Sequence, residues 1–539
     1  MNAVDTTADV VVIGAGHNGL TAANYLADAG RRVVVLEAAA KIGGMTSSDF
    51  PIPEAPQHMV NFHSADLLFW QMSPVEEELR LREHGLVTIP VDPSYVYLHP
   101  DGASIAIWQD PRKTADEIRR FSPHDADAYL EYARFLEALS EVAMPFMRMN
   151  PARPGLDGLR TLAKGAFRTR RELRRFAEFL IASGEESIEQ RFEHPVTRSL
   201  LYCLCAGANP IEAAGTSVTH LFLAMVRQGG ATRGVGGMQA IPEALARRLR
   251  SVGGEIRTDC AVAEIVVSGG RATGVRLADG REIRAREAVI ATCHPRTALG
   301  TMLPSGTLSP ELENRVRHIP ASSAGAGAMK SDLALSGRLR LTRFEKWRGD
   351  GVDLRKPVGL IGTCEGLRRG YRRSAAGLVP EPDEIGLWPV ILNAVDPTQA
   401  PDGQDSLYLY ATNMPVDPDG GWEMHEKKAA DNIVARTAEF YEGIEELEIG
   451  RWVQTPDRTA AMTGSVNGTA MHVDHLLLSQ GPLRPAIGLG GISMPVEGLY
   501  LGGAGAHPGG GVSGLPGRLS ARTVLKKSGS KHPGSKTKR

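Results

Sequence analysis

Four apolar residues in a row, Val10 to Ile13, form the first clear pattern of the chain. A run without polar alternation predicts a parallel strand covered on both faces. Leu20, Ala23 and Leu26 then recur at helical spacing, and Gly30 supplies a natural helix end. The stretch "RRVVVLEA" predicts a second strand that finishes at Glu37. Much later, Ile241, Leu245 and Leu249 predict a helix over 240–249. Short strands follow, broken by "SGG" and "ADG", which reads as an antiparallel meander. A buried strand is expected at Ala288 to Ala291, and another at Leu499 to Leu501. After the last strand comes a glycine-rich turn, with a helix beginning near Gly511-Val512 and Pro516 in its first turns.

The chain therefore returns to one domain twice. The expected class is α/β: a Rossmann-type dinucleotide-binding domain interrupted by a discontinuous α+β substrate domain. The cofactor pieces are assigned to 1–72, 231–300 and 481–525, and the substrate pieces to 73–230 and 301–480. Residues 526–539 are read as a basic disordered tail. At 539 residues and 42% hydrophobic content, the chain can build more than one core. Its net charge of -1 lacks the basic footprint of a nucleic-acid binder. No run of about 18 apolar residues predicts a membrane span. The opening "MNAVDTTADV" lacks a signal-peptide pattern, which points to the cytoplasm. Five cysteines without a C-x-x-C pair suggest buried thiols and no dithiol centre.

The candidate chemistry begins in "IGAGHNGL". Gly14 permits a tight turn, Gly16 lets the backbone approach a pyrophosphate, and Gly19 lets helix and strand pack closely. The intervening His17 and Asn18 belong to the same phosphate loop. A helix N-terminus there favours a diphosphate. Glu37, followed by Ala38, stands where an acid bonds a ribose diol, and it would repel a 2′-phosphate. The Gly43-Gly44 pair with Met45 then favours FAD over NAD, because it lets the chain pass close to the nucleotide. Val262 is placed where an adenine edge could meet the backbone. The stretch "GAGAHPGGGVSG" has the same grammar as the front end, but no acid follows it. Gly503, Ala504, Gly510, Gly511 and Val512 are therefore assigned to the isoalloxazine end of one FAD. His507 beside that ring is the candidate catalytic residue. His58 and His63 could line the substrate face. "MHVDH" fits no metal-ligand spacing, so no metal is expected.

Taken together, Gly14 to Gly19, Glu37, Gly43-Gly44, "VGGM" and "GLYLGGAGAHPGGGVSG" resemble the phytoene desaturase-related flavoproteins. That family includes carotenoid desaturases, flavin-type β-carotene ketolases and the pyridine nucleotide-disulfide oxidoreductase domain-containing protein 2 group. The chain departs from it at Ala506, where Thr is usual, and at Pro516. The resemblance implies a p-hydroxybenzoate hydroxylase or amine oxidase-like fold and oxidoreductase chemistry on a hydrophobic small molecule. Desaturation by hydride transfer to flavin is the favoured expectation. Ketolase-type oxygenation and a non-catalytic lipid escort on the same fold remain as alternatives. "LAKGAFRTRRELRRFAEFLIA" is read as a core-packing helix with a solvated arginine face, the alternative being peripheral membrane contact.

Overall fold

The computed structural model of the chain describes residues 7–207 and 209–529. β1 (Thr7–Ile13), α1 (His17–Asp28) and β2 (Val33–Leu36) build the unit that the first pattern predicts. Val10 to Ile13 and all of β2 are buried, as expected of parallel strands inside a sheet, and α1 packs on both strands. α1 leans on the first turn with no gap. A methyl group on Gly19 would lie 2.0 Å from the carbonyl oxygen of Gly14. Only a glycine fits there.

The chain returns through α2 (Ala240–Ser251), β3 (Glu255–Arg257), β4 (Val262–Ser268), β5 (Arg271–Leu277) and β6 (Glu282–Ala291). It returns again through β7 (Leu499–Leu501) and α3 (Leu515–Lys527). These strands make one seven-stranded sheet in the order β4-β5-β6-β1-β2-β3, with β7 also paired to β6. β1 runs parallel to β2 and β6, whereas β4, β5 and β6 form the antiparallel meander. α1 packs against both α2 and α3 beside this sheet.

Two elements differ from expectation. The third meander strand and the strand expected at 288–291 are one ten-residue strand, β6. Its first half alternates exposed and buried residues against β5, and its last four are all buried between β1 and β7. The period changes because the strand passes from a one-sided ribbon into the core. The final helix begins at Leu515, not near Gly511-Val512. Gly511 and Gly514 take φ of +97° and +69°, which an α-helix cannot accommodate. Lys526 and Lys527 end α3 rather than begin a tail, and residues 530–539 lie outside the described residues.

The interrupting segments form a second body. Four antiparallel strands run in the order Leu387–Ile391, Asp405–Pro415, Ala326–Leu335 and Glu448–Gln454. A long helix, Pro123–Met147, anchors a helical core holding Tyr132, Phe135 and Phe179. The strand Ala231–Gly234, assigned above to a cofactor piece, pairs with Thr88–Val91 of the first interruption. The arginine-rich segment is two helices, Gly155–Arg168 and Leu173–Ile181. Phe176 and Phe179 enter the core, as a core-packing helix requires, but Phe167 is 67% exposed.

Candidate active site

The front of the site is built by backbone. The amide of Gly14 donates to the Leu36 carbonyl at 2.7 Å, which fixes the turn between β1 and α1. Glu37 sits one residue past β2, and its carboxylate accepts from the amides of Ala15 (2.8 Å) and Ala39 (3.0 Å). The acid is thereby locked to the glycine loop. Gly43 donates from its amide to the Ala15 carbonyl at 3.0 Å, so the glycine pair lies directly on that loop. At the end of β6, the Thr292 hydroxyl donates to the Ile13 carbonyl at 2.7 Å and closes the other side.

A cavity of about 650 Å³ opens from this cradle. Gly14, Gly16, His17, Asn18, Glu37 and Ala38 line it, as do Gly43, Gly44, Met45 and Val262. Ala504, Gly511 and Val512 line it from the C-terminal stretch. The two glycine stretches therefore face one space. Burial lowers the His17 imidazole to about 4, with the Gly511 backbone opposing that shift. The Nε2 of His17 and the Oδ1 of Asn18 are buried without a partner among the described residues, as polar atoms awaiting a ligand would be. The cradle thus fits a dinucleotide.

Other residues singled out in the sequence stand behind the wall. Gly19, Gly503 and Gly510 do not line the cavity; Gly503 packs on Thr292 and Gly510 on Met471. His507 is not on the wall either. Its Nε2 lies 3.0 Å from the Phe146 carbonyl, its ring meets the Phe146 edge at 5.1 Å, and burial lowers it to about 4. His63 lines the cavity, whereas His58 bonds the Leu335 carbonyl at 3.3 Å. Of "MHVDH", His472 lines the cavity, while Asp474 accepts from the amides of Ser322 and Ser323. Cys203, Cys205 and Cys260 are buried, but Cys293 and Cys364 are only partly so; Cys260 and Cys293 reach the cavity wall.

Beyond the glycines, the cavity continues into an aromatic chamber. Tyr408 and Tyr410 stack with planes 2° apart and centroids 6.3 Å apart. Trp388 packs against both Tyr410 and Tyr95, and Phe69 meets Phe222 edge-on at 5.3 Å. Among the carboxyl residues that line the cavity, Glu37, Asp49 and Asp66, it is Asp66 that bonds one of these aromatic side chains. Tyr95 donates to it at 3.2 Å, and burial raises its pKa above the ordinary carboxylate range. Beneath Tyr408, the Lys330 ammonium lies 4.1 Å from the ring centroid and donates to Asp332 at 2.6 Å.

Sequence reading missed Asp66, Thr292 and Arg484. Arg484 is fully buried, and its guanidinium donates to the carbonyls of Met471 (2.9 Å), Val473 (3.0 Å), Ala504 (2.9 Å) and Ser479 (3.2 Å). Burial lowers its pKa to about 9. It ties the 471–473 loop to the final glycine stretch. The "HPGGG" neighbourhood drew attention to His507, but the cation that holds this loop lies more than twenty residues upstream.

A Rossmann sheet entered three times, an acid at the end of β2 and a second glycine stretch facing the first define an FAD-dependent oxidoreductase. The pattern of the flavin containing amine oxidoreductase family matches residues 19–333, and the chain belongs to that family. It is 29% identical to the mouse (Mus musculus) pyridine nucleotide-disulfide oxidoreductase domain-containing protein 2, over 96% of this chain and 93% of that protein. It is 26% identical to phytoene desaturase (neurosporene-forming) of Rhodobacter capsulatus, over 93% of this chain and 90% of that one. The fold is shared with the crystal structure of an oxidoreductase from Methanosarcina mazei, at a TM-score of 0.60 and 18% identity, covering 96% of this chain and 99% of that one. The cofactor is FAD, and the non-catalytic escort alternative loses its footing.

Proposed function

We propose that the protein is an FAD-dependent dehydrogenase that desaturates an apolar, isoprenoid-type molecule, carotenoids included. The observation that carries this reading is the continuation of the cofactor cavity into a chamber walled by Leu68, Phe69, Phe222, Val358, Trp388 and Val390. Burying apolar substrate surface there contributes roughly 25 cal/mol per Å². The desaturase relative acts, by its name, on phytoene, which agrees in kind.

In this reading Gly14, Gly16, His17 and Asn18 hold the diphosphate, and Glu37 with Ala38 holds the ribose. Gly43, Gly44 and Met45 pass beside the nucleotide, and Val262 meets the adenine edge. Ala504, Gly511 and Val512 face the ring, while Gly19, Gly503 and Gly510 set the spacing behind them. Bound FAD supplies a hydride acceptor for the substrate C–H bond. Asp66 takes the accompanying proton, since a desolvated carboxyl binds a proton more readily than an exposed carboxylate. Tyr95 donates to one of its oxygens, and the Leu68 amide lies 3.5 Å from the other. Arg484, bonded to the Ala504 carbonyl, would place a positive charge close to a bound flavin. His507, bonded to the Phe146 carbonyl, positions the glycine loop rather than moving a proton. We place the protein in the cytoplasm, at a membrane surface.

The test is anaerobic addition of phytoene to the purified protein, followed by its visible spectrum and the product mass. The expected result is a flavin spectrum that bleaches, with a product lacking a pair of hydrogens. A product that gains oxygen under air would establish ketolase-type chemistry instead. Bleaching by putrescine but not by phytoene would sink the isoprenoid assignment.

A further inference from the structure

Exposed apolar side chains gather on the helices Gly155–Arg168 and Leu173–Ile181. At 100° per residue, Leu156, Leu159 and Phe167 fall on one face of the first helix, and Leu156 is 74% exposed. On the second helix, Leu173 and Leu180 share an outward face while Phe176 and Phe179 fill the core. The patch extends across the turn at Gly215. Its amide donates to the carbonyls of Ile181 and Ala182, and its α-carbon faces both Leu180 and Leu477. Leu477 and Leu478 are exposed there as well.

The charge around this patch is one-sided. Residues 155–182 carry seven basic and three acidic side chains, whereas the whole chain has a net charge of -1. Arg174 pairs with Glu178 and Arg168 with Glu141, both at exposed positions where such pairs are easily exchanged. The exposed Lys164 and Arg171 make no ion pair among the described residues. The Arg170 guanidinium lies over the exposed Phe167 ring, 4.6 Å from its centroid. Long basic stems flanking outward leucines match the boundary between acyl chains and headgroups.

This face is also one layer from the cavity. The second helix packs on the turn Thr216–His220, where the Ser217 hydroxyl donates to the Phe179 carbonyl. Thr219 of the same turn lines the cavity wall.

We propose that this two-helix face docks on an anionic bilayer surface, with Leu156, Phe167 and Leu180 entering the headgroup boundary and Lys164 and Arg171 meeting lipid phosphates. Docking there places the wall of the substrate cavity against the phase in which an apolar substrate dissolves. That last link rests on the desaturase reading, whereas the docking rests on the helices alone.

The experiment is co-sedimentation of the full-chain holoenzyme with vesicles of phosphatidylcholine, with and without phosphatidylglycerol. The wild type is expected to pellet with the anionic vesicles, and binding to neutral vesicles is expected to be at least about tenfold weaker. A Phe167→Glu/Leu180→Glu variant and a Lys164→Glu/Arg171→Glu variant should each lose about tenfold or more while keeping the flavin absorbance of the wild type. Failure of the wild type to bind either vesicle overturns the proposal, as does unchanged binding by both variants. A dimer in light scattering that these substitutions dissociate also overturns it, by making the face a contact between copies of the chain. Vesicle binding is scored without turnover, so inactivity toward phytoene would strike the desaturase reading and leave this result standing.

Discussion

Asp66 is the residue on which the proposed chemistry turns, and no motif surrounds it. Asp66→Asn keeps the size of the side chain and removes the base, so kcat should fall by about 10²–10⁴ while bound FAD is unchanged. The wild-type rate should fall as pH drops through a value above the usual carboxylate range, because burial raises the group and only its deprotonated form accepts a proton. The Asn variant should lose that limb; a rate profile that keeps it would remove Asp66 from the mechanism. Residues such as Gly14, Gly16, Glu37 and Gly43 were legible because the partners of each lie within a few dozen positions. Thr292 was not, since its partner Ile13 comes from a distant segment, and Asp66 and Arg484 were not because no motif marks the irregular loops that carry them. Thr292 bonds Ile13 across nearly the whole cofactor domain, and Arg484 reaches Ala504 from another loop.

At the level of elements, periodicity identified β1, α1, β2, α2 and β7, whose buried faces are continuous within each element. It divided β6, because the environment changes partway along one strand and the pattern changes with it. It started the last helix too early, since glycines ahead of a helix look alike whether they turn or begin to wind. The sheet of the second body was not resolved by pattern at all. Its central strands, Ala326–Leu335 and Asp405–Pro415, include the buried polar residues Lys330, Asp332 and Asn413, which disguise a core strand. Lys330 and Asp332 stabilise one another there, burial lowering the first pKa and raising the second. Lys330→Met strands a buried carboxyl and should cost about 3–5 kcal/mol. Thermal unfolding should show a midpoint several degrees lower, and adding Asp332→Asn should recover part of the loss. No recovery would mean that the cation matters through Tyr408 instead.

For the molecule as a whole, several imidazoles are stored uncharged. Burial lowers His17 and His507 to about 4 and His63 and His472 to about 3. Their unfolded values lie near 6.5, so between those limits the unfolded chain binds more protons than the native one. Stability is therefore complete above pH 7 and declines as pH falls from about 6.5 toward about 4, by up to about 1.4 kcal/mol per histidine per pH unit. Scanning calorimetry from pH 7.5 to 5 would check this; a flat midpoint would show that these rings are not held neutral. A different consequence follows from where β7 and α3 lie. Arg518 of α3 grips Glu78 through two bonds of 2.6 and 2.7 Å, and β7 pairs with the buried end of β6. On the ribosome, the segment proposed to hold the diphosphate emerges early, whereas the segment proposed to face the ring emerges only after β7. A chain truncated before β7 should therefore stay colourless and open to proteases, which flavin absorbance and limited proteolysis would check.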